Sequence, residues 1–140
     1  MANLWWVYAL LSAFFAALTT IFAKVGVDQV NSNLATAIRT VVILVMVWGI
    51  VIMSGEVREL SAVPRSAWLA LILSAVATGL SWLFYFKALQ IGQASYVAPV
   101  DKSSVAMVLV LSVLFLHETV TWQSIAGTVA ILVGVLLFVL

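Results

Sequence analysis

The stretch VAPVDKSSVAMVLVLSVLFLHETVT, residues 97–121, is an apolar run long enough to cross a lipid bilayer, yet it carries charged side chains. A hydrocarbon core about 30 Å thick is spanned by about 20 mostly apolar residues in a helix. A charge inside that core costs about 2.5–3.5 kcal/mol on insertion scales, so it is kept only with a partner, a cavity or a function. Asp101 and Lys102, one to two turns into the run, are therefore the most informative residues in the chain.

The composition of the chain indicates a membrane protein. Of 140 residues, 66% are hydrophobic and 8% are charged, and a soluble domain of this size has too little interior to hide so much apolar surface. We therefore predict an all-α integral membrane protein that crosses the cell (inner) membrane several times. The net charge of +1 offers no basic face for nucleic acid, and the absence of cysteine excludes disulfides and thiolate metal sites. With one histidine and five scattered carboxylates, we expect no metal or other cofactor.

Five apolar segments follow one another along the chain, and each is predicted to form a membrane-spanning helix of a single domain, residues 1–140. The predicted helices cover about residues 4–23, 34–53, 67–89, 97–116 and 122–140. Trp5, Trp6 and Tyr8 lie where an interfacial aromatic belt is expected. The polar segment 54–66 is typical of a solvated connector.

The ends of these helices carry recognisable stop and start residues. We expect Lys24 to close the first helix, and Ser32 or Asn33 to cap the second. We expect Thr119 or Thr121 to cap the fifth helix by accepting a hydrogen bond from a free backbone N–H.

The start of the fourth helix combines a proline with an acid. Pro99 is expected in the first turn, where its missing N–H is tolerated. Asp101 would then lie in the opening turns, where the positive end of the helix dipole favours a carboxylate. It would share one face with Ser104 and Ser112.

Hydroxyl and aromatic side chains form stripes on three predicted helices, at the spacing that places them on one face. Lipid gives no reward for hydroxyls, so these stripes should face protein or a cavity. A packing seam of hydroxyl residues is the alternative to a solute cavity. The predicted cavity residues are Tyr8, Ser12, Ser74, Thr78, Ser81, Trp82, Tyr85, Asp101 and Ser104.

Arg39, early in the second predicted helix, is open to three interpretations. Its side chain could extend to the membrane interface, bind an anion, or pair with Asp101. Desolvation and a nearby cation tune how an intramembrane carboxylate exchanges protons. Asp101 is therefore the candidate for proton coupling, with Lys102 or Arg39 as the neighbouring cation.

The last predicted helix carries small residues at four-residue spacing, Ala126, Ala130 and Gly134, with Gly127 beside them. Such a seam permits close helix–helix contact without naming the partner.

The order of several short motifs resembles one EamA-like repeat of the drug/metabolite transporter superfamily. The motifs are Ala23–Lys24, Arg39, the KAL of 87–89, the VAPVDKSSV of 97–105, the FLHETVTWQSIAG of 115–127, and Gly134. The resemblance covers essentially the whole chain. Most family members resemble two fused five-helix repeats, and this chain is similar to the half-size bacterial and archaeal members. Because the first helix has no carboxylate, it differs from the four-helix small multidrug resistance branch.

The resemblance implies transport of a small solute and leaves the ligand open. An odd number of helices places the termini on opposite sides of the membrane, and many transporters pair repeats of inverted topology. We therefore expect dual topology and an antiparallel homodimer that moves a small organic metabolite or drug-like solute by alternating access. A parallel dimer or a hetero-oligomer is the alternative assembly. We expect no catalytic residues, because no nucleophile–base pair is evident.

A second hypothesis is a lipid-translocating or accessory subunit that handles an anionic lipid. Lys24, Arg39, Lys87 and Lys102 near one side could hold a phosphate head group.

Overall fold

The computed structural model describes residues 4–140, so residues 1–3 of the predicted domain lie outside the described part. Within it the chain folds into six α-helices and one 3₁₀ helix, Glu56–Ala62, and no strand occurs. The α-helices are α1 (Trp5–Val27), α2 (Ser32–Ser54), α3 (Arg65–Ile91), α4 (Ala94–Asp101), α5 (Ser104–Leu116) and α6 (Trp122–Val139).

Five helical segments are long and apolar enough to cross a membrane. They are α1, α2, α3, the segment Ala94–Leu116 that contains α4 and α5, and α6. Most apolar side chains on these segments point outward, and in residues 4–140 only seven residues are buried. Outward apolar surface and internally bonded helical backbone are what a bilayer requires. The prediction of an all-α protein with five membrane-spanning segments is confirmed.

The chain divides into two compact units, residues 4–91 and Gly92–Leu140. In the first unit, α1, α2 and α3 pack against one another in pairs. In the second unit, α4 and α5 both pack against α6. The single domain spanning residues 1–140 stays a prediction.

The buried residues of the first unit lie at one end of its helices. Val27 closes α1, Ser32 and Thr36 open α2, and Phe86 and Leu89 lie near the end of α3. The end of α1, the start of α2 and the end of α3 therefore meet in the best-packed part of this unit.

Several helix ends differ from their predicted positions. Helix α1 continues past Lys24 to Val27, so Lys24 does not end it. Helix α2 is capped by Asn31, whose side chain accepts a hydrogen bond from the Asn33 N–H at 2.9 Å, rather than by Ser32 or Asn33. The connector after α2 is not irregular throughout, because it contains the 3₁₀ helix. This 3₁₀ helix follows Gly55, whose backbone has a φ of 78°, a left-handed conformation that glycine adopts readily.

The predicted cap of the last helix is confirmed at Thr121. Its side-chain oxygen accepts a hydrogen bond from the Ser124 N–H at 3.2 Å. Before it, α5 ends at Leu116 and is followed by His117, which has a left-handed φ of 55°. The Glu118 N–H then bonds back to the Ser112 carbonyl at 3.3 Å, which satisfies a carbonyl at the helix end.

The fourth span begins earlier than predicted and is interrupted. Pro99 lies inside α4 rather than in its first turn, and a proline there removes one hydrogen bond of the helix. The chain then tightens, because the Lys102 and Ser103 N–H groups each bond to a carbonyl three residues back, at 3.0 Å. Asp101 is the last residue of α4, so it does not lie in the opening turns of the fourth span as predicted; it comes three residues before the first residue of α5, Ser104.

Candidate functional site

A hydrogen bond between side chains joins α1 to α3 inside the first unit. The hydroxyl of Thr20 lies 2.7 Å from the phenol oxygen of Tyr85. Thr20 also donates to the carbonyl of Ala16 at 3.0 Å. A threonine hydroxyl has one hydrogen, so Tyr85 is the donor and Thr20 the acceptor in the contact between helices.

The ends of α1 and α3 cap each other with long polar side chains. Lys24 donates to the Leu89 carbonyl at 2.8 Å, and Gln90 donates to the Val27 carbonyl at 3.2 Å. Both carbonyls belong to the last four residues of their helices, which have no partner within the helix. Lys24 also forms an ion pair with Asp28 at 2.9 Å. These contacts hold the two helices in register at this end of the unit.

Arg39 of α2 packs its guanidinium against aromatic rings of α3. The guanidinium carbon lies 4.4 Å from the centre of the Trp82 ring and 5.2 Å from the centre of the Phe86 ring. Both distances are within the range of cation–π attraction. Within residues 4–91, no carboxylate lies at ion-pairing distance from Arg39 and its N–H groups have no hydrogen-bond acceptor. The side chain is half-buried.

Two open grooves lie in this region, the first lined in part by Arg39 and the second by its neighbour Trp82. The first has a volume of about 370 Å³ and is lined by Thr19, Phe22, Ala23, Gly26, Ala35, Ile38, Arg39 and Phe86. The second has a volume of about 380 Å³ and is lined by Thr40, Ile43, Leu44, Val47, Trp48, Ala75, Thr78, Gly79 and Trp82. Arg39 is the only charged residue lining either groove in the described part of the chain.

The predicted site residues of α1 and α3 have different environments. Trp82 and Tyr85 are half-buried and contact α2 and α1 respectively. Thr78 lines the second groove and donates to the Ser74 carbonyl of its own helix at 2.8 Å. The remaining members, Tyr8, Ser12, Ser74 and Ser81, are exposed.

In the second unit, the predicted site residues surround the interruption of the fourth span. An Asp101 carboxylate oxygen lies 3.3 Å from the Lys102 ammonium, and these side chains are 38% and 60% exposed respectively. Ser104 is the first residue of α5 and is exposed. The pairing of Asp101 with Lys102 is thus observed within this unit, whereas its pairing with Arg39 stays a prediction.

Sequence reasoning missed three features of this region. It left α2 out of the predicted cavity lining, although α2 contributes to both grooves. It did not single out Thr20 or Phe86, the partners of Tyr85 and Arg39. The sequence did contain a signal for Thr20. Thr20, Lys24 and Asp28 are polar residues at four-residue spacing, which places them on one face of α1 and the turn that follows.

A match to a family of known proteins covers residues 3–140 and is described as the EamA-like transporter family. The chain belongs to this EamA-like family. It is therefore a multi-pass membrane protein of a transporter family, as its motifs suggested.

Two relatives extend over almost the full length of this EamA-like chain. One, from Sinorhizobium sp., is 51% identical over 137 residues, or 98% of this chain and 97% of the relative, and is named an uncharacterized transporter in the cobO 3′ region. The other, an uncharacterized protein of Methanocaldococcus jannaschii, is 29% identical over 137 residues, or 94% and 93% of the two chains. Both relatives are thus about as long as this chain. No solved structure shows a significant match.

Proposed function

We propose that this EamA-like protein is a secondary transporter that moves a small organic metabolite or drug-like solute by alternating access. The observation that carries the proposal is the family match over residues 3–140. The transporter name of the relative that is 51% identical supports it. Both point to a transporter rather than an enzyme.

The grooves beside Arg39 support a small solute as the cargo. Their volumes of about 370 and 380 Å³ fall near the lower end of small-molecule sites, which measure about 300–1,000 Å³. Their walls are mainly aliphatic and aromatic, with a few polar groups such as Thr78 and Arg39. An apolar wall with few polar groups is the usual composition of a ligand site.

We propose that the working assembly is an antiparallel homodimer in the inner membrane. Five spans place the two termini on opposite sides, so one chain inserted in both orientations supplies the inverted pair of repeats found in many transporters. The loop charges are compatible with dual insertion. Arg58 and Arg65 lie on the N-terminal side and Lys24 on the C-terminal side, so the orientation bias is weak.

We propose Asp101 as the residue that couples transport to protons. The residue lies where the fourth span is interrupted, and discontinuous membrane helices commonly carry coupling-ion sites. Its ion pair with Lys102 is between neighbouring, partly exposed residues, and such pairs contribute little to stability. The pair with Lys102 therefore gives Asp101 no strong structural role within the second unit.

The lipid-handling alternative has less support from the side-chain contacts. Lys24 is engaged by Asp28 and the Leu89 carbonyl, and Lys87 donates to Gln90 at 3.3 Å. Of the three basic residues of the first unit assigned to a lipid head group, Arg39 alone has no polar partner in residues 4–91.

Uptake by reconstituted protein tests the proposed function. A thermal-shift screen of metabolites on detergent-purified protein first identifies solutes that stabilise the fold, and each is then offered to proteoliposomes with and without a pH gradient. We expect saturable uptake that falls in Trp82→Ala and is unchanged in Trp68→Ala, a matched removal of an indole from α3 outside both grooves. Translocation of labelled lipid without uptake of any water-soluble solute would favour the alternative.

Reporter fusions test the proposed orientation. Matched cytoplasmic and periplasmic reporters at the C-terminus should both give signal. Two lysines added between residues 90 and 94 should shift the population toward a cytoplasmic C-terminus, and two lysines added to the connector after α2 should shift it the other way. A single strong orientation in the unmodified protein would contradict dual topology.

A further inference from the structure

We propose that the groove between α1 and α2 binds an organic anion, with the guanidinium of Arg39 on its carboxylate and the apolar wall around its hydrocarbon body. This inference rests on the proposed function and names its substrate class. It concerns the groove of about 370 Å³ that Arg39 and Phe86 line.

The position of Arg39 in the membrane favours a partner for its charge. It lies seven residues after the first residue of α2, Ser32, or about 10 Å along the helix axis. A charge at such a depth in a membrane helix is retained when it has a partner or lines an aqueous cavity. The first unit supplies a counter-charge for Lys24, through Asp28, and none for Arg39 within residues 4–91.

The aromatic neighbours of Arg39 hold its guanidinium without using its hydrogen-bond donors. Trp82 and Phe86 attract the guanidinium carbon through their ring faces. Attraction by ring faces uses no hydrogen-bond donor, so the planar fork of five N–H groups on Arg39 stays free for a bidentate acceptor. A carboxylate is the acceptor that matches this fork.

The rest of the groove favours a ligand with a hydrocarbon part over a small hydrated ion. Apart from Arg39, its lining is apolar except for Thr19, and the rings of Phe22 and Phe86 form part of the wall. A small inorganic anion would leave this wall unfilled. An aromatic or aliphatic carboxylate would bury apolar surface while its charge meets Arg39.

Three probes of one shape and different charge test the inference on detergent-purified protein by calorimetric titration: phenylacetate, phenylacetamide and 2-phenylethylamine. We expect phenylacetate to bind at least about tenfold more tightly than the neutral amide, and the amine not to bind, because a charge-assisted contact is lost in the amide and reversed in the amine. Equal affinity for phenylacetate and phenylacetamide would overturn the inference. This comparison uses the unmodified protein, so it does not depend on the folding of a variant.

Variants then locate the effect. Arg39→Gln should reduce phenylacetate affinity to that of the amide, and Arg39→Lys should retain part of the preference. Arg65→Gln, which removes the same charge at the start of α3 outside the groove, should bind as the unmodified protein does. A preference for phenylacetate that survives in Arg39→Gln would overturn the assignment to Arg39. Loss of folding in Arg39→Gln that Asp101→Asn restores would also overturn it, because Arg39 would then be half of a buried ion pair.

An anionic lipid head group could also bind the guanidinium of Arg39. Titrations in two kinds of nanodisc therefore distinguish a solute site from a lipid site. We expect similar phenylacetate affinity in phosphatidylcholine discs and in discs of equal phosphatidylcholine and phosphatidylglycerol. Loss of binding in the anionic discs would assign the groove to lipid and overturn a solute site.

Uptake of labelled phenylacetate separates this inference from the proposed function. Selective, Arg39-dependent binding without uptake of any solute would support the inference and count against transport. Uptake of neutral or cationic solutes without a binding preference for the carboxylate would support transport and overturn the inference.

Discussion

The phenol of Tyr85 donates a hydrogen bond to the hydroxyl of Thr20, 65 residues earlier in the chain, across 2.7 Å. This bond joins two membrane-spanning helices next to the buried residues at their shared end. Polar contacts of this type fix the register of helices whose apolar faces alone would allow sliding, since lipid is as apolar as the helix surface.

Tyr85→Phe should destabilise the first unit by about 0.6 kcal/mol, the average for a hydrogen bond between membrane helices. Tyr8→Phe is the matched control, because Tyr8 is 71% exposed and its phenol makes no hydrogen bond within residues 4–91. Unfolding in mixed detergent micelles measures both. Equal effects of the two changes would show that the bond to Thr20 contributes nothing.

Lys24→Met should cost about 1–2 kcal/mol, because the Leu89 carbonyl at the end of α3 would lose its donor. Asp28→Asn should cost much less, since the Asp28 side chain is 52% exposed and its pair with Lys24 is screened by water and salt. Equilibrium unfolding at low and high salt checks the difference. If the two variants lose the same stability, the loss comes from the ion pair with Asp28, and the contact of Lys24 with the Leu89 carbonyl contributes nothing measurable.

Asp101→Asn should fold normally and abolish accumulation driven by a pH gradient, because an amide cannot exchange the proton. Uptake of a solute identified by thermal shift, with and without the gradient, is the measurement. Lys102→Met is the companion variant, and it should keep some coupling. A folded Asp101→Asn protein with normal, pH-dependent uptake would remove Asp101 from the mechanism.

Gly134→Leu should weaken self-association while leaving the second unit folded. Within residues 92–140, no heavy atom outside the adjoining residues and the backbone of α6 itself lies within 4 Å of the position that a Cβ would take at Gly134 or Gly127, so a larger side chain fits the unit itself. The change would nevertheless block close approach of a second helix along the small-residue seam. Val133→Leu, at a 54% exposed neighbour, is the control. Cross-linking and light scattering measure the oligomeric state of both variants. The same oligomer in both would contradict the prediction and indicate that the small-residue seam faces lipid.

Much of the fold could be predicted because it depends on local patterns. Five spans follow from the lengths of apolar segments, and the Thr121 cap follows from a polar residue before an apolar run. The interruption after Asp101 was not predicted. It depends on where the helix begins. The helix starts at Ala94, three residues earlier than predicted, and this earlier start places Pro99 in the helix interior instead of the first turn.

The contacts between helices were beyond prediction for a different reason. Trp82 and Tyr85 were identified as site residues from their spacing on one helix, but their partners, Arg39 and Thr20, lie on two others. Which residues meet across helices depends on rotation and axial register, and neither is encoded in the periodicity of a single segment. The environment of Arg39, left open among three interpretations, depends in the same way on the packing of α2 against α3.

The 4.4 Å approach of Arg39 to Trp82 also gives the molecule a built-in optical reporter. An indole beside a guanidinium has an emission spectrum that depends on that cation, so any event that draws the arginine away alters its colour and intensity. The chain has six tryptophans, and a version retaining only Trp82 would emit from this one position. Stopped-flow fluorescence on that protein would time the movement of Arg39 without an attached dye, before any cargo has been named.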